Sequence, residues 1–241
     1  MDISQKKSML VSGAESLGIG VSDDQAERLL AYMELVLEKN RVMNLTAIKD
    51  EERFIYLNLV DSLSALRVLP EAGTLIDVGT GAGLPGIVAA VMRSDLNVTL
   101  MDATEKKLRF LEEVTAKLGI ANASILCGRA EELSRDPRCR DSFDAAVSRA
   151  VARLPLLMEY VLPFVRKGGI FVAMKGAEAA EELEEARNIT ALLSASFSSS
   201  DELVLPGGEE ARCLLVFEKT APTSEAYPRR NSVLKKLYSN R

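Results

Sequence analysis

The pattern of apolar and polar positions divides the chain into unlike parts. Ser22 is suited to cap a helix whose apolar residues Ala26, Leu29, Leu30, Met33 and Leu37 recur at helical spacing. A second helix is predicted from about Glu51 to Leu66, and Gly18 and Gly20 break up an earlier turn. Residues 1–70 therefore read as a helical extension. After Gly73 the rhythm becomes strand and helix in alternation. Strands are predicted at TLIDVG, NVTLMD, ASILCG, FDAAVS and GIFVAMK, and the clearest helix between them carries Leu108, Leu111, Val114 and Leu118 on one face. Such alternation gives a parallel sheet covered by helices on both sides.

Residues 71–220 are expected to hold that sheet, and its end departs from the alternation. DELVLPGGEEARCLLVFEK contains two strand-like runs joined by Pro206, Gly207 and Gly208, a turn signal that favours an antiparallel hairpin. The short serine-rich stretch SASFSSSDE reads as a connection between elements. Glu181, Glu182, Glu184 and Glu185, in a helix over about 178–193, read as a solvated face without a chemical role.

Composition narrows the chemistry. At 241 residues with 47% hydrophobic and 27% charged residues, the chain has the make-up of a folded soluble protein. No run approaches bilayer length and the amino terminus lacks the apolar core of a signal peptide, so a cytoplasmic protein without membrane attachment is expected. Cys127, Cys139 and Cys213 are widely spaced with no C-x-x-C pair, which argues against a disulfide framework or structural zinc. Histidine is absent, which removes the commonest general base and metal ligand together. No metal is expected. Net charge is -5, yet the tail 221–241 carries Arg229, Arg230, Lys235, Lys236 and Arg241 against Glu225 alone. The tail reads either as a solvated end or as a flexible arm for a polyanion, one that supplies RNA affinity and no chemistry.

The most informative stretch is LIDVGTGAGLPGIVAAVMR, a buried strand, a glycine-rich turn and a helix. Gly81, Gly83 and Gly86 fit the dinucleotide fingerprint G-x-G-x-x-G, whereas Asp77, Gly79, Gly81 and Gly83 fit Asp-x-Gly-x-Gly-x-Gly, a pattern of enzymes that bind S-adenosylmethionine. The second reading is favoured. A carboxylate at Asp77 would repel a pyrophosphate and welcome the ammonium and sulfonium of the methyl donor. The closing hairpin points the same way, because a standard dinucleotide-binding domain ends in a sixth parallel strand. Asp102, ending the next strand about 20 residues past the turn, is placed to hydrogen-bond ribose hydroxyls. Ala130 and Glu131 follow the third strand, where an adenine edge would be read by a backbone amide and a carboxylate.

NRVMNLTAI, DVGTGAGLPG, GRAEEL, SRAVA and MKG then fall in an order and spacing similar to the bacterial 16S ribosomal RNA guanine-N7 methyltransferases, the glucose-inhibited division protein B family. The resemblance spans roughly Val21 to Lys219. It implies an α/β class I S-adenosylmethionine-dependent methyltransferase (Rossmann-like) fold, mostly parallel with a final antiparallel hairpin and an N-terminal helical extension. It further implies cofactor contacts at Gly79, Leu84, Ala130, Glu131 and Arg149, and a guanine cleft faced by Asn44, Thr46, Arg149 and Lys175. The partner it implies is 16S ribosomal RNA or the small subunit, approached by a monomer. Family members commonly carry Arg-His ahead of an Asp-Ser pair, where this chain has Leu57-Asn58 ahead of Asp61-Ser62. The tail resembles the family ending at Tyr227-Pro228-Arg229, Lys235, Lys236 and Leu237.

The implied reaction suits a chain without histidine. Guanine N7 has a free lone pair, so no base need remove a proton, no catalytic residue is singled out, and in-line positioning with a suitable field can suffice. Amino-group methylation would call for an Asn/Asp-Pro-Pro-aromatic run where this chain has Ser148-Arg149-Ala150-Val151. Carbon-5 methylation would call for a nucleophilic cysteine in a Pro-Cys or Thr-Cys context, which is absent. Two other classes stay open at this point: a ribosome-assembly factor that keeps the pocket without turnover, and a nucleotide-dependent oxidoreductase.

Overall fold

The computed structural model describes residues 1–206 and 211–238. Gly207 and Gly208 of the expected turn, and Arg241 of the tail, lie outside the described residues. The chain begins with helices α1 (Ile3–Ser16) and α2 (Asp23–Lys39). Ser22 caps α2 reciprocally: its side chain accepts from the Gln25 amide while the Gln25 side chain accepts from the Ser22 amide.

The helix predicted over 51–66 is present but not uniform. It runs as α3 (Glu51–Phe54), a π-helical turn (Ile55–Val60), α4 (Asp61–Ser64) and a short 3-10 turn (Ala65–Arg67). An inserted π turn re-aims the side chains it carries, and such turns are frequent at functional sites. Here it carries Leu57 and Asn58, with Asp61 directly following.

Seven strands follow: β1 (Gly73–Val78), β2 (Leu96–Asp102), β3 (Ala123–Cys127), β4 (Phe143–Arg149), β5 (Val165–Lys175), β6 (Ala195–Val204) and β7 (Ala211–Lys219). Their order in the sheet is β3-β2-β1-β4-β5-β7-β6, with β7 antiparallel to both β5 and β6 and the other pairings parallel. This is the mostly parallel class I methyltransferase sheet with its closing hairpin. One expectation is overturned at its edge. The serine-rich stretch is no connection: from Ala195 it forms most of β6, which pairs along β7 from Ala195 to Val204. An edge strand exposed on both faces needs backbone pairing and no apolar alternation, so its pattern gave no strand signal.

Helices α5 (Gly86–Met92), α6 (Glu105–Lys117), α7 (Ala130–Leu133), α8 (Leu154–Val161) and α9 (Ala179–Leu192) connect the strands. The two faces of the sheet bury separate cores, and alternate strand residues enter each, as a period of two requires. Leu75, Val98, Leu100, Ala145 and Val147 join Leu10, Leu29, Met33, Leu59 and Leu111 on one face. Ile76, Met101, Ala146, Phe171 and Phe217 join Leu157, Phe164, Ala186 and Leu193 on the other. The N-terminal helices thus share a continuous core with the sheet. From β1 the chain steps outward to β2 and β3, then returns to the opposite side as β4. Loops after β1 and β4 consequently diverge, and the crevice between them is where ligands of open α/β sheets bind.

Candidate functional site

The crevice at the carboxyl ends of β1, β2 and β4 is a cavity of about 630 Å³. Gly79, Gly81, Leu84, Asp102, Ala130, Glu131 and Arg149 all line it, so seven of the expected cofactor residues converge on one space. Gly79 has φ +77°, and a Cβ there would sit 2.4 Å from Val151 Cγ2, which fixes glycine at the point where the β1 turn meets the segment after β4.

The two remaining members of the glycine pattern have other positions. Asp77 is completely buried and does not line this cavity. Its Oδ2 accepts from Thr80 Oγ1 at 2.6 Å and from the Gly86 amide at 2.8 Å, which pins the turn to the start of α5. Its Oδ1 is buried without a hydrogen-bond partner. Burial pushes this carboxyl up to about 6, against the pull of the Thr80 and Gly86 hydrogen bonds and of Arg149. Gly83 faces inward, toward Ile87, Leu111 and Tyr32. Tyr32, from α2, donates to the Ala82 carbonyl at 2.8 Å, so the N-terminal helices buttress the turn from beneath.

Asp102 is organised rather than free. Its Oδ2 accepts from the Gly81 amide at 3.1 Å and its Oδ1 from the Thr104 amide at 2.8 Å, with Lys107 Nζ 4.0 Å away. These donors hold the carboxylate at the cavity edge in a fixed orientation. Ala130 opens α7 and Glu131 follows it on the same wall.

A second cavity of about 640 Å³ adjoins the first. Thr46, Arg149, Ala150 and Val151 line both. Lys175 lines the second, together with Asn58, Asp61, Glu182 and Arg212. Thr46 is placed by Asn40, whose Oδ1 accepts from the Leu45 and Thr46 amides at 2.7 and 3.0 Å. Asn44, expected to face the guanine, is exposed and lines neither cavity.

Arg149 stands between the two spaces. Its Nη1 donates to the Leu57 carbonyl and to Asp61 Oδ2, both at 2.9 Å, and its Nη2 donates to Asn58 Oδ1 at 2.8 Å. Three of the five guanidinium N–H groups are thereby taken up by the π turn and the residue after it. Ala150, next in the chain, has φ +55°, an uncommon conformation for a residue with a Cβ. Asp61, only 3% exposed, also lies 3.3 Å from Arg212 Nε.

Lys175 is likewise paired. Its Nζ donates to the Ala152 carbonyl and to Glu182 Oε2, both at 2.7 Å. Glu182 also accepts from the Leu154 amide. The reading of its acidic run as a plain solvated face fails at Glu182, which is buried; Glu181 and Glu184 are exposed as expected, while Arg153 binds Glu178, Glu181 and Glu185. The helix packs this face against the loop after β4, which a charge pattern alone does not disclose.

Sequence reasoning passed over Tyr32 and Asn231, the latter of which lines the 630 Å³ cavity, and gave Asn58 and Asp61 no role beyond a departure from the family pattern. Asp61-Ser62 entered only as part of a motif, and Tyr32 was masked by the apolar stripe beside it. Among the described residues no group of three or more Cys, Asp or Glu side chains is arranged to hold a metal, and no helix is long and apolar enough to cross a membrane.

The family model described as rRNA small subunit methyltransferase G matches residues 25–206. The chain belongs to that family. Among its relatives, Ribosomal RNA small subunit methyltransferase G of Alkaliphilus metalliredigens is 41% identical over 228 residues, covering 94% of this chain and 95% of that one. The protein of the same name from Acetivibrio thermocellus is 39% identical over 226 residues, covering 93% of each. Solved structures share the fold at low identity. P. horikoshii TYW2 in complex with MeSAdo superposes with a TM-score of 0.52 at 14% identity, over 67% of this chain and 62% of that one. Trm5b from Pyrococcus abyssi does so with a TM-score of 0.52 at 13% identity, over 74% and 52%. The residues matched to the rRNA small subunit methyltransferase G family, from α2 through β6, include every described residue that lines the 630 Å³ cavity except Asn231.

Proposed function

We propose that this chain transfers a methyl group from S-adenosylmethionine to N7 of a guanine in 16S ribosomal RNA, acting as a cytoplasmic monomer on the RNA or the small subunit. The observation that carries this reading is the shared wall. A nucleoside-sized cavity with a glycine turn and a fixed ribose-facing carboxylate opens, across Thr46, Arg149, Ala150 and Val151, onto a second cavity of similar size. A donor and an acceptor must approach in line, and two adjoining spaces with one partition provide for that.

The residues present fit the methyl donor. Asp102 accepts from ribose hydroxyls, Ala130 and Glu131 address the adenine, and the Gly79–Gly81 backbone leaves room where a Cβ would intrude. When bound, S-adenosylmethionine supplies an electrophilic methyl group on sulfur. The protein's own part is positioning and field. Methylation leaves a positive charge on the base, and two of the cations that line the second cavity are offset: Arg149 by Asp61, which Arg212 also approaches, and Lys175 by Glu182. A cation already paired with a carboxylate opposes the developing charge less than a free one would. Arg149 keeps donors for a substrate or cofactor carboxylate, and Thr46 and Lys175 border the space proposed for the guanine. The deep groove of A-form RNA hides N7, so the target is a loop guanine or one displaced from its stack.

The product is chemically labile, which supplies the test. Incubation with methyl donor and 16S RNA or small subunits, followed by borohydride and aniline, should cut the RNA at one guanine. An intact strand at every assembly stage tried would reject the assignment, and binding of RNA and cofactor without product would favour an assembly role.

A further inference from the structure

The C-terminal segment reads as a solvated end or a flexible polyanion arm, yet its described residues, 221–238, pack against the fold while Arg230 and Lys236 stay exposed. Lys219, at the end of β7, is fully buried, and its Nζ donates to Asp141 Oδ1 at 2.8 Å and to Thr223 Oγ1 at 2.6 Å. Arg140 donates to the carbonyls of Thr223, Ser224 and Tyr227 at 2.8, 2.9 and 3.0 Å. Arg135, just beyond α7, donates to the Pro228 carbonyl. Glu159 of α8 has no exposed surface, and it accepts from the Arg229 amide and guanidinium and from Tyr238 Oη. The chain then forms a last helix, α10 (Asn231–Tyr238), whose Leu234 is fully buried. Charged side chains from three parts of the fold thus hold a segment that composition marks as solvent-exposed.

The position at the head of that helix matters. Asn231 lines the 630 Å³ cavity, as does Tyr160, the neighbour of Glu159. Arg135 ties the segment to the neighbourhood of α7, the element that carries Ala130 and Glu131. Tyr160 sits in the same sector: burial, then the charge of Glu131, raise its hydroxyl pKa. A nucleoside with its ribose at Asp102 and its base at Ala130 and Glu131 would bring that base to this side of the cavity. The geometry points to Asn231, held in place by the Arg229–Glu159 clamp, as a cofactor-binding residue that reads the adenine of a nucleoside cofactor. An asparagine amide offers one acceptor and two donors, the complement of an adenine edge with its exocyclic amine and ring nitrogens.

This inference rests on the reading of the cavity as a nucleoside cofactor site, and its test separates the two. Calorimetry would compare S-adenosylhomocysteine with S-inosylhomocysteine, which lacks the exocyclic amine, on the full chain, on Asn231→Ala and on Arg229→Ala. The full chain should prefer the adenosyl form. Asn231→Ala should weaken adenosyl binding by about tenfold, the worth of one such hydrogen bond, and shrink the preference for it. Arg229→Ala, by loosening the clamp, should move both quantities in the same direction. Unchanged affinity and unchanged preference in Asn231→Ala would overturn the assignment. Failure of the unaltered chain to bind either ligand would instead sink the cofactor reading. Should Arg229→Ala not fold, Asn231→Ala alone decides, because Asn231 takes no part in the clamp.

Discussion

Arg149 Nη2 donates to Asn58 Oδ1 at 2.8 Å, so the end of the fourth strand is held by a residue of the π turn. Arginine has no acceptor, and its donation fixes the Asn58 amide with the oxygen toward β4. The Nδ2 of Asn58 is left buried without a partner. Asn58→Leu keeps the volume and deletes the acceptor. A hydrogen bond to a charged group is worth about 1.5–3 kcal/mol, so kcat/KM should fall by roughly 10- to 100-fold. Asn58→Asp keeps an oxygen for Arg149 and should retain far more activity. Steady-state methylation of small subunits by both variants checks this, and equal losses would show that the acceptor is not what matters.

Asp77 makes stability depend on pH in a stated direction. Its carboxyl is raised from 3.8 to about 6 because burial disfavours the charged form. The folded state therefore holds this proton more tightly than the unfolded state. Its stabilising contribution is complete below the unfolded value and is lost as pH rises through about 6. The full span corresponds to about 3 kcal/mol. In Asp77→Asn that dependence should vanish. Denaturant midpoints of the two proteins between pH 4 and 8 should then diverge in the variant's favour as pH rises. Parallel curves would mean that Asp77 is not protonated in the folded protein near pH 5.

Much of this architecture is legible in the sequence, and the failures have physical causes. Five strands and the glycine turn are visible because apolar runs bounded by glycine admit few alternatives. Gly79, Gly81, Asp102 and Ala130 converge because strand ends of a parallel sheet must lie along one edge. Pairing partners are what a linear pattern does not carry. Lys175 and Arg149 are recognisable as cations at strand ends, yet nothing local reveals that Glu182 and Asp61 neutralise them. Nor does an apolar spacing reveal a π turn, since one extra residue in a helix leaves the hydrophobic stripe almost intact. The tail misleads for the same reason: its charges look solvated until Glu159, Asp141, Arg135 and Arg140 are brought beside it.

The tail's remaining charges bear a separate expectation. Arg229 is occupied by Glu159, whereas Arg230 and Lys236 are exposed. Each phosphate contact to single-stranded RNA contributes about -0.7 to the salt slope. Replacing both by alanine should weaken RNA binding and flatten that slope by about 1.4, with S-adenosylhomocysteine affinity unchanged. Filter binding across a salt series reads the first and calorimetry the second. An unaltered slope would remove the tail from the RNA interface.

Lys175 poses the problem of separating a fold contribution from a substrate contribution. It borders the second cavity, but its side chain is only 9% exposed and is bound to Glu182, itself 10% exposed. Lys175→Met would leave the Glu182 carboxylate buried against the Leu154 amide alone. Breaking one side of a buried pair costs about 3–5 kcal/mol, so this variant should unfold at markedly lower denaturant whatever Lys175 does for RNA. Replacing both partners, as Lys175→Met with Glu182→Gln, removes the stranded charge and should recover most of that loss, because a glutamine oxygen still accepts from Leu154. The recovered protein then isolates the chemistry. If Lys175 holds an RNA phosphate, the double variant should bind S-adenosylhomocysteine normally, methylate small subunits poorly and show a raised KM. Normal methylation by a stable double variant would assign Lys175 to the fold and leave Arg149 and Thr46 to border the guanine.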